Sequence, residues 1–389
     1  MVIPSEESLR KEIIKALRRQ GYRVRRGQIV MPDDLTKDDY RRMNELAVAK
    51  KMERSGPGIK RYENDLLRFI ADGREVKPSN VSPCIIEVKP DSEDELLFRY
   101  AYLHWSIPVS AGYGRRLRFL VKDAANNKLI GILGLGDPVY ALRARDEWIG
   151  WDRKAKKENL YHVMDAFVLG AVPPYSYLLG GKLVAMLACS NEVRCAFRRR
   201  YSGKKSLIKE KVRPPYLSLI TTASALGRSS IYNRIKTNGQ EYWSSVGYSQ
   251  GSGEFHFSNG VYDDLRAYVQ RYCEPTAKQD AWGDGFRNRR EVIRKGLSKL
   301  GMSADLIYHG IRREIFAAPL GRESLRFLRG EVLRPCFYDW PAEFLAQQFL
   351  ERWFYDRAKR KPEFRQFERD SYRLWQTNGM VVRGGNDNG

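Results

Sequence analysis

Apolar positions along the chain follow a helical period at both ends and a strand period in the middle. Leu9, Ile13 and Leu17 share one helical face and Gly21 stands where a helix stops, which predicts a helix over residues 5–20. GYRVRRGQIVMP reads as two short strands around Gly27. Thr36 followed by Asp38 and Asp39 opens a second helix through YRRMNELAVAKKMER, which SGPG at 55–58 is expected to end. KRYENDLLRFIADG predicts a third helix closing on Gly73.

From residue 84 the period shortens. Ile85, Ile86 and Val88 mark a strand, Ser92 with Glu95 fits a capping box, and Leu96, Tyr100 and Leu103 carry a helix onward. RRLRFLVKD and KLIGILGLGD form a predicted hairpin turning at Asn126-Asn127. An apolar strand at 161–172 runs through a Pro-Pro turn into a helix whose first turn holds Gly180 and Gly181. A second apolar strand at 216–223 leads to the loop Gly227-Arg228-Ser229-Ser230, a short helix through Tyr232, and strands around 242–248 and 253–257. Helices return after 258 with NGVYDDLRAYVQRY and the basic FRNRREVIRKGLSKLG, and TNGMVVRGGNDNG reads as a frayed tail. The expectation is an α/β protein in three parts: a helical region at 1–80, a mixed-sheet core at 81–258, and a basic helical region at 259–389.

Charge changes the picture. A net charge of +22 on 389 residues lies far enough from zero to imply a polyanionic partner such as nucleic acid. A diffusely basic surface that serves solubility is the competing explanation. Arg289, Arg290, Arg294 and Lys295 in the basic helix, with Arg228 in the loop, are the candidate contacts. The five cysteines are scattered and lack a C-x-x-C pair, which predicts neither a disulfide framework nor a metal site and suits a reducing cytoplasm. The charged N-terminus, and the interruption of the longest apolar run by Lys182, predict no signal peptide and no membrane span.

Candidate chemistry sits near the second half of the core. Gly180-Gly181 at a helix start can present backbone N–H groups to a phosphate, or can permit close helix-to-sheet packing. Asp146, Glu147, Asp152 and Asp165 supply carboxylates for general-base work, with pairing to Arg143 and Arg145 the alternative. Strand alternation in GEFHF places Glu254 and His256 on one face, so His256 either shares a cleft with Arg228 or is an ordinary hydrogen-bonded histidine, the commoner case. Glu87-Val88-Lys89 matches the E-x-K half of a metal-dependent nuclease site, the least favoured alternative.

The element order β-α-β-β-β-α-β-α-β-β resembles the GNAT acyltransferase fold, in which a splayed strand pair and the helix start between them bind the pyrophosphate of an acyl-coenzyme A. The resembling stretch is YLLGGKL, with Tyr177 in place of the usual Gln or Arg. The resemblance implies coenzyme contacts at Tyr177, Gly180, Gly181 and Lys182, and a tyrosine, Tyr232, near the leaving thiol. Longer stretches in one order, RRLRFLVKD, GDPVYALRARDEWIGWD, VMDAFVLGAVPPYS, LLGGKLVAML, TTASALGRSSIYNRI and VGYSQGSGEFHF, resemble the DruA family of the Druantia bacterial anti-phage system. That resemblance implies phage defence beside other Druantia proteins, a helicase-like partner among them, and action directed at DNA. It leaves the reaction open: a core that modifies or senses bound nucleic acid, or a catalytically inactive assembly platform.

Overall fold

The N-terminal pattern forms α1 (Glu6–Arg19), with Ser5 Oγ accepting from Ser8 N at 3.3 Å, and a hairpin of β1 (Arg23–Arg25) and β2 (Gln28–Val30). The computed structural model describes residues 4–31, 35–107, 114–205, 212–225, 229, 231–237, 239–251, 254–257, 260–276, 286 and 288–375. α2 (Lys37–Lys60) starts at a capping box of Thr36 and Asp39, then continues through Gly56, Pro57 and Gly58, where the sequence places its end. Packing overrides propensity there. A Cβ on Gly56 would lie 3.0 Å from the Trp375 ring, and Ile59 in the last turn is fully buried. The expected third helix is correspondingly short, reduced to α3 (Glu63–Leu67).

The middle of the chain supplies β3 (Pro83–Glu87), α4 (Glu93–Leu103), β4 (Arg116–Asp123), β5 (Lys128–Gly136), α5 (Arg143–Ile149), α6 (Arg153–Asn159) and β6 (Val163–Ala171). There follow α7 (Gly180–Leu187), α8 (Asn191–Tyr201), β7 (Leu219–Ala223), the small hairpin β8 (Lys236–Thr237) and β9 (Gln240–Glu241), and β10 (Ser244–Tyr248). Beyond them come α9 (Val261–Tyr272), α10 (Arg289–Lys299), β11 (Glu314–Pro319), α11 (Ser324–Arg329), α12 (Ala342–Phe349) and α13 (Tyr355–Arg360).

Seven of these strands build one sheet in the order β10-β11-β7-β6-β5-β4-β3. Every neighbouring pair is antiparallel except β6 and β7, which run parallel and pair only from Val163–Asp165 to Leu219–Thr221. β6 also carries a bulge against β5: Ala166 faces Leu135 and Val168 faces Gly134, leaving Phe167 as the extra residue. The expected strand at 253–257 is instead a 3-10 turn, Phe255–Phe257. Its place beside β10 belongs to β11, from the segment read as basic and helical, so the sheet draws on chain beyond residue 258.

Sheet alternation divides the core. One face, carrying Phe119, Leu133, Met164, Ile220 and Phe316, is covered by α7, α8 and α12. α7 is apolar nearly all round because it is buried nearly all round, and Trp243 Nε1 donates to Ala185 O at 2.9 Å to fix it. The other face is covered in two pieces. α4 and the end of α2 pack on Leu120, Ile132 and Val168, whereas α5 and α11 pack on Val163, Leu219 and Ala317. A separate apolar cluster joins α1 and the β1–β2 hairpin to α9 and α10, so helices from opposite ends of the sequence share one core. Among the described residues no helix is long and apolar enough to cross a membrane.

Candidate functional site

Between the two helical covers of the second face, the strands carry Arg116, Asp165, Phe167 and Thr221, at the fork where β6 and β7 part. Asp165 Oδ1 accepts from Thr221 Oγ1 at 2.8 Å across the last parallel rung. Burial raises the Asp165 carboxyl above its ordinary value, while the Thr221 bond and the charges of Arg145 and Arg116 oppose the shift. The result is a half-buried acid whose one direct partner shown is Thr221, with two guanidinium groups acting on it only through their charge.

The floor of this site is made flat by glycine. A Cβ on Gly134 would lie 2.4 Å from the Phe167 ring, and one on Gly136 would lie 3.1 Å from Arg116 Nη1. A Cβ on Gly170 would meet the Trp105 ring at 2.9 Å. These three positions therefore seat two aromatic rings and a guanidinium directly on the sheet. The Arg116 guanidinium stacks over Phe167 at 4.4 Å, Phe167 meets Tyr102 edge-on at 6.3 Å, and Lys51 Nζ lies 3.4 Å above the Tyr102 ring. Lys51 also donates to Tyr102 O at 2.6 Å, and burial lowers its ammonium to about 7. Arg118 extends the series over Phe98 at 5.7 Å. Cations and rings thus alternate along the site's margin.

The fork's opposite side holds the expected coenzyme residues. Gly180 is buried, and a Cβ there would lie 2.8 Å from Tyr175 O and 2.9 Å from the Ala171 Cβ, so its glycine serves close packing. Gly181 has more room, its nearest neighbour being Ile231 Cδ1 at 3.4 Å. Lys182 is buried, donates to Ile231 O at 3.3 Å, and is lowered to about 8 by burial first and then by Arg234 and Arg352. Tyr177 is exposed beside Phe367, and its carbonyl accepts from Arg357 Nε at 3.0 Å. Tyr232 packs its ring on Phe316 and Trp243 at 4.7 and 5.2 Å; burial raises its hydroxyl to about 12, and the Asp165 charge adds to that.

The remaining carboxylates do not join Asp165. Asp146 is held at 2.6 Å by both Arg145 and Lys156, Glu147 pairs with Arg143 at 2.7 Å on the surface, and Asp152 caps α6. Arg145, fully buried, bonds the carbonyls of Val139 and Tyr140, which makes the Asp146 pair a brace for that loop. Glu87 faces Arg199 and Arg200, and among the described residues no three His, Cys, Asp or Glu side chains come together as metal ligands.

His256 is a correction. Its ring is buried in the α1–α9–α10 cluster, against Tyr22 at 5.7 Å, with Nε2 bonded to Leu306 O at 2.8 Å, while its carbonyl accepts from Gln20 Nε2. Desolvation lowers it to about 4, so it is a neutral packing residue at neutral pH and faces no cleft. Arg228 lies outside the described residues. Arg289 stacks over Tyr262 at 3.7 Å and lies 3.9 Å from Glu254, and Lys295 bonds Glu274 O and lies 3.6 Å from Glu291. Arg294 on α10 is exposed. Arg116, Phe167, Tyr102 and Lys51 escaped the sequence reading, although two glycines one rung apart in an otherwise apolar strand, Gly134 and Gly136, are a signal that something lies flat on it.

These features define an α/β protein with a mixed sheet, one splayed parallel pair, and a cation-rich site holding a single desolvated acid at the fork. The chain belongs to the DruA family: the family model described as Druantia protein DruA matches residues 34–330. It is 37% identical over 377 residues to Druantia protein DruA of Escherichia coli (strain UMEA 4076-1), an alignment covering 96% of this chain and 91% of that protein. No solved structure matches the chain. Membership makes it a component of a Druantia anti-phage defence system, acting with other Druantia proteins.

Proposed function

We propose that this defence component engages nucleic acid along the cation–ring series at the fork, and that the Asp165 site senses or modifies what is bound there. The observation that carries the reading is Arg116 stacked on Phe167 over side-chain-free Gly134 and Gly136, beside Asp165, in a chain of net charge +22. Stacked guanidinium and aromatic groups accept bases of any sequence, and the cationic margin attracts phosphates. DNA is the favoured polymer, and a helicase-like Druantia partner would supply it as single strands. The test is fluorescence anisotropy of labelled DNA and RNA against salt, with Arg116→Ala assayed alongside phage protection. Arg116→Ala should weaken binding at least about tenfold and abolish protection. Binding by the variant equal to wild type sinks this site.

A second reading is favoured by the strand order itself. The parallel pair opens beside the start of α7, the arrangement in which GNAT-like acyltransferases hold acyl-coenzyme A, and Gly181 leaves room there. Calorimetry with an acyl-coenzyme panel distinguishes it from a catalytically inactive platform, which would bind none of them.

A further inference from the structure

A second concavity, which shares no lining residue with the fork, lies between the β8–β9 hairpin and the segment entering α12. Its volume is about 630 Å³, within the range of small-ligand sites. Tyr338 and Trp340 stack in it with centroids 4.3 Å apart and planes 13° from parallel, and Tyr242 packs against Trp340 at 4.8 Å. Phe344 on α12, 44% exposed, stands at the rim. Gln240, Arg322 and Asp339 bring both donors and acceptors to the lining.

The wall is held in place before anything binds. Asn191, the first residue of α8, donates from Nδ2 to Asp339 at 2.6 Å and accepts from Trp340 N at 3.0 Å. Arg194, one turn on, donates to Tyr338 O at 2.8 Å and stacks over Phe337 at 4.4 Å. The next turn of the same helix face carries Arg198, exposed. A preformed stack of rings that ends in a half-buried tyrosine and an exposed rim phenylalanine, with mixed polar groups beside it and a helix that presents arginines, matches a planar heterocycle carried on a polyanion and stacked on the outer ring.

We infer that this pocket receives an unpaired base of a single-stranded nucleic acid whose backbone follows α8. The inference rests on the nucleic-acid reading above and gives it a second, base-reading contact. A stacked base is worth roughly a tenfold change in affinity and carries no charge, so its loss should leave the salt dependence alone.

The experiment uses the full chain with a short labelled oligothymidylate and the same strand with abasic sugars. Phe344→Ala, at an exposed position, and Tyr338→Ala should each weaken binding about tenfold with an unchanged salt slope, and should bind the abasic strand no worse than wild type does. Cys336, exposed and part of the lining, should alkylate several-fold more slowly when the intact strand is bound. If Tyr338→Ala fails to fold, Phe344→Ala and the Cys336 rate decide. Variants that bind like wild type, with no base-dependent protection of Cys336, overturn the pocket and leave the fork reading standing. A wild-type protein that binds no oligonucleotide overturns both.

Discussion

Thr221 donates its hydroxyl proton to Asp165 on the last rung before β6 and β7 separate, so the one desolvated acid at the fork is fixed by the strand from which it is about to part.

The protonation of Asp165 has a predictable effect on stability. Its folded-state value lies above the ordinary 3.8, so the folded protein keeps a proton that the unfolded chain has released. The stabilisation is complete below 3.8 and is lost as pH rises through the raised value. Asp165→Asn retains an acceptor for Thr221 and removes the charge penalty. Its Tm should exceed that of wild type at pH 7, by about 2 °C, with the gap closing toward pH 4. Phage protection should be lost. A variant that melts lower at pH 7 shows that the negative charge is instead stabilising, through Arg116 and Arg145.

The two glycines at the start of α7 should separate under the same small change. Gly180→Ala drives a methyl into Tyr175 O and Ala171, and should cost about 1–3 kcal/mol, the usual effect of overpacking. Gly181→Ala meets only the end of a flexible Ile231 at 3.4 Å and should melt within about 1 °C of wild type or above it, since alanine favours helix. Thermal melts of the pair read this directly, and the binding of an acyl-coenzyme A to Gly181→Ala reports on the second reading.

All four histidines are buried, and three of them should make the fold acid-sensitive. Desolvation lowers His104 to about 3 and both His162 and His256 to about 4, against 6.5 in an unfolded chain. The unfolded state binds the extra protons, so stability is present above 6.5 and is lost as pH falls toward 4. Each histidine contributes up to about 1.4 kcal/mol per pH unit in that window. Denaturant midpoints measured from pH 7 to 5 should fall steadily. His256→Ala should lower the pH 7 midpoint as well, through lost packing against Tyr22 and Phe257.

Cations on α10 should differ in their effect on nucleic-acid binding. Arg289 and Lys295 already hold Tyr262, Glu254 and Glu291, whereas Arg294 is exposed. If α10 contacts phosphates, Arg294→Glu should reduce the log–log salt slope by about one contact. Arg289→Ala should act mainly on Tm. A titration in which both leave the slope unchanged removes α10 from the interface.

Local signals were legible wherever sequence neighbours decide structure. Thr36 and Ser92 cap their helices as expected, and the hairpin turning at Asn126-Asn127 forms, with one bulge between Val121 and Lys122. The α/β class follows from those elements. What could not be read depends on partners remote in sequence. Trp375 lets α2 run past Gly56-Pro57-Gly58, and β11 displaces the expected 253–257 strand because β10 finds a better partner some 70 residues on. At the site, the pairing of Asp146 with Arg145 and of Glu147 with Arg143 follows the neighbouring charges in RARDE, whereas the partner of Asp165, Thr221, lies on a strand 56 residues on and could not be read. The ring and cation series was written only as missing side chains, at Gly134, Gly136 and Gly170.

β11 also sets an order on biosynthesis. It lies between β7 and β10, both of which leave the ribosome earlier, so until residue 319 has emerged the sheet stops at β7 and β10 has no partner strand. During that interval the chain has already displayed Leu219–Ala223 and Ser244–Tyr248 with unpaired backbone groups, the condition under which strands join to those of other molecules. Expression of a fragment ending near residue 258 would hold the protein permanently at that stage. In the finished sheet β11 closes β7 on one side and β10 on the other, and the exposed edge moves outward to β10.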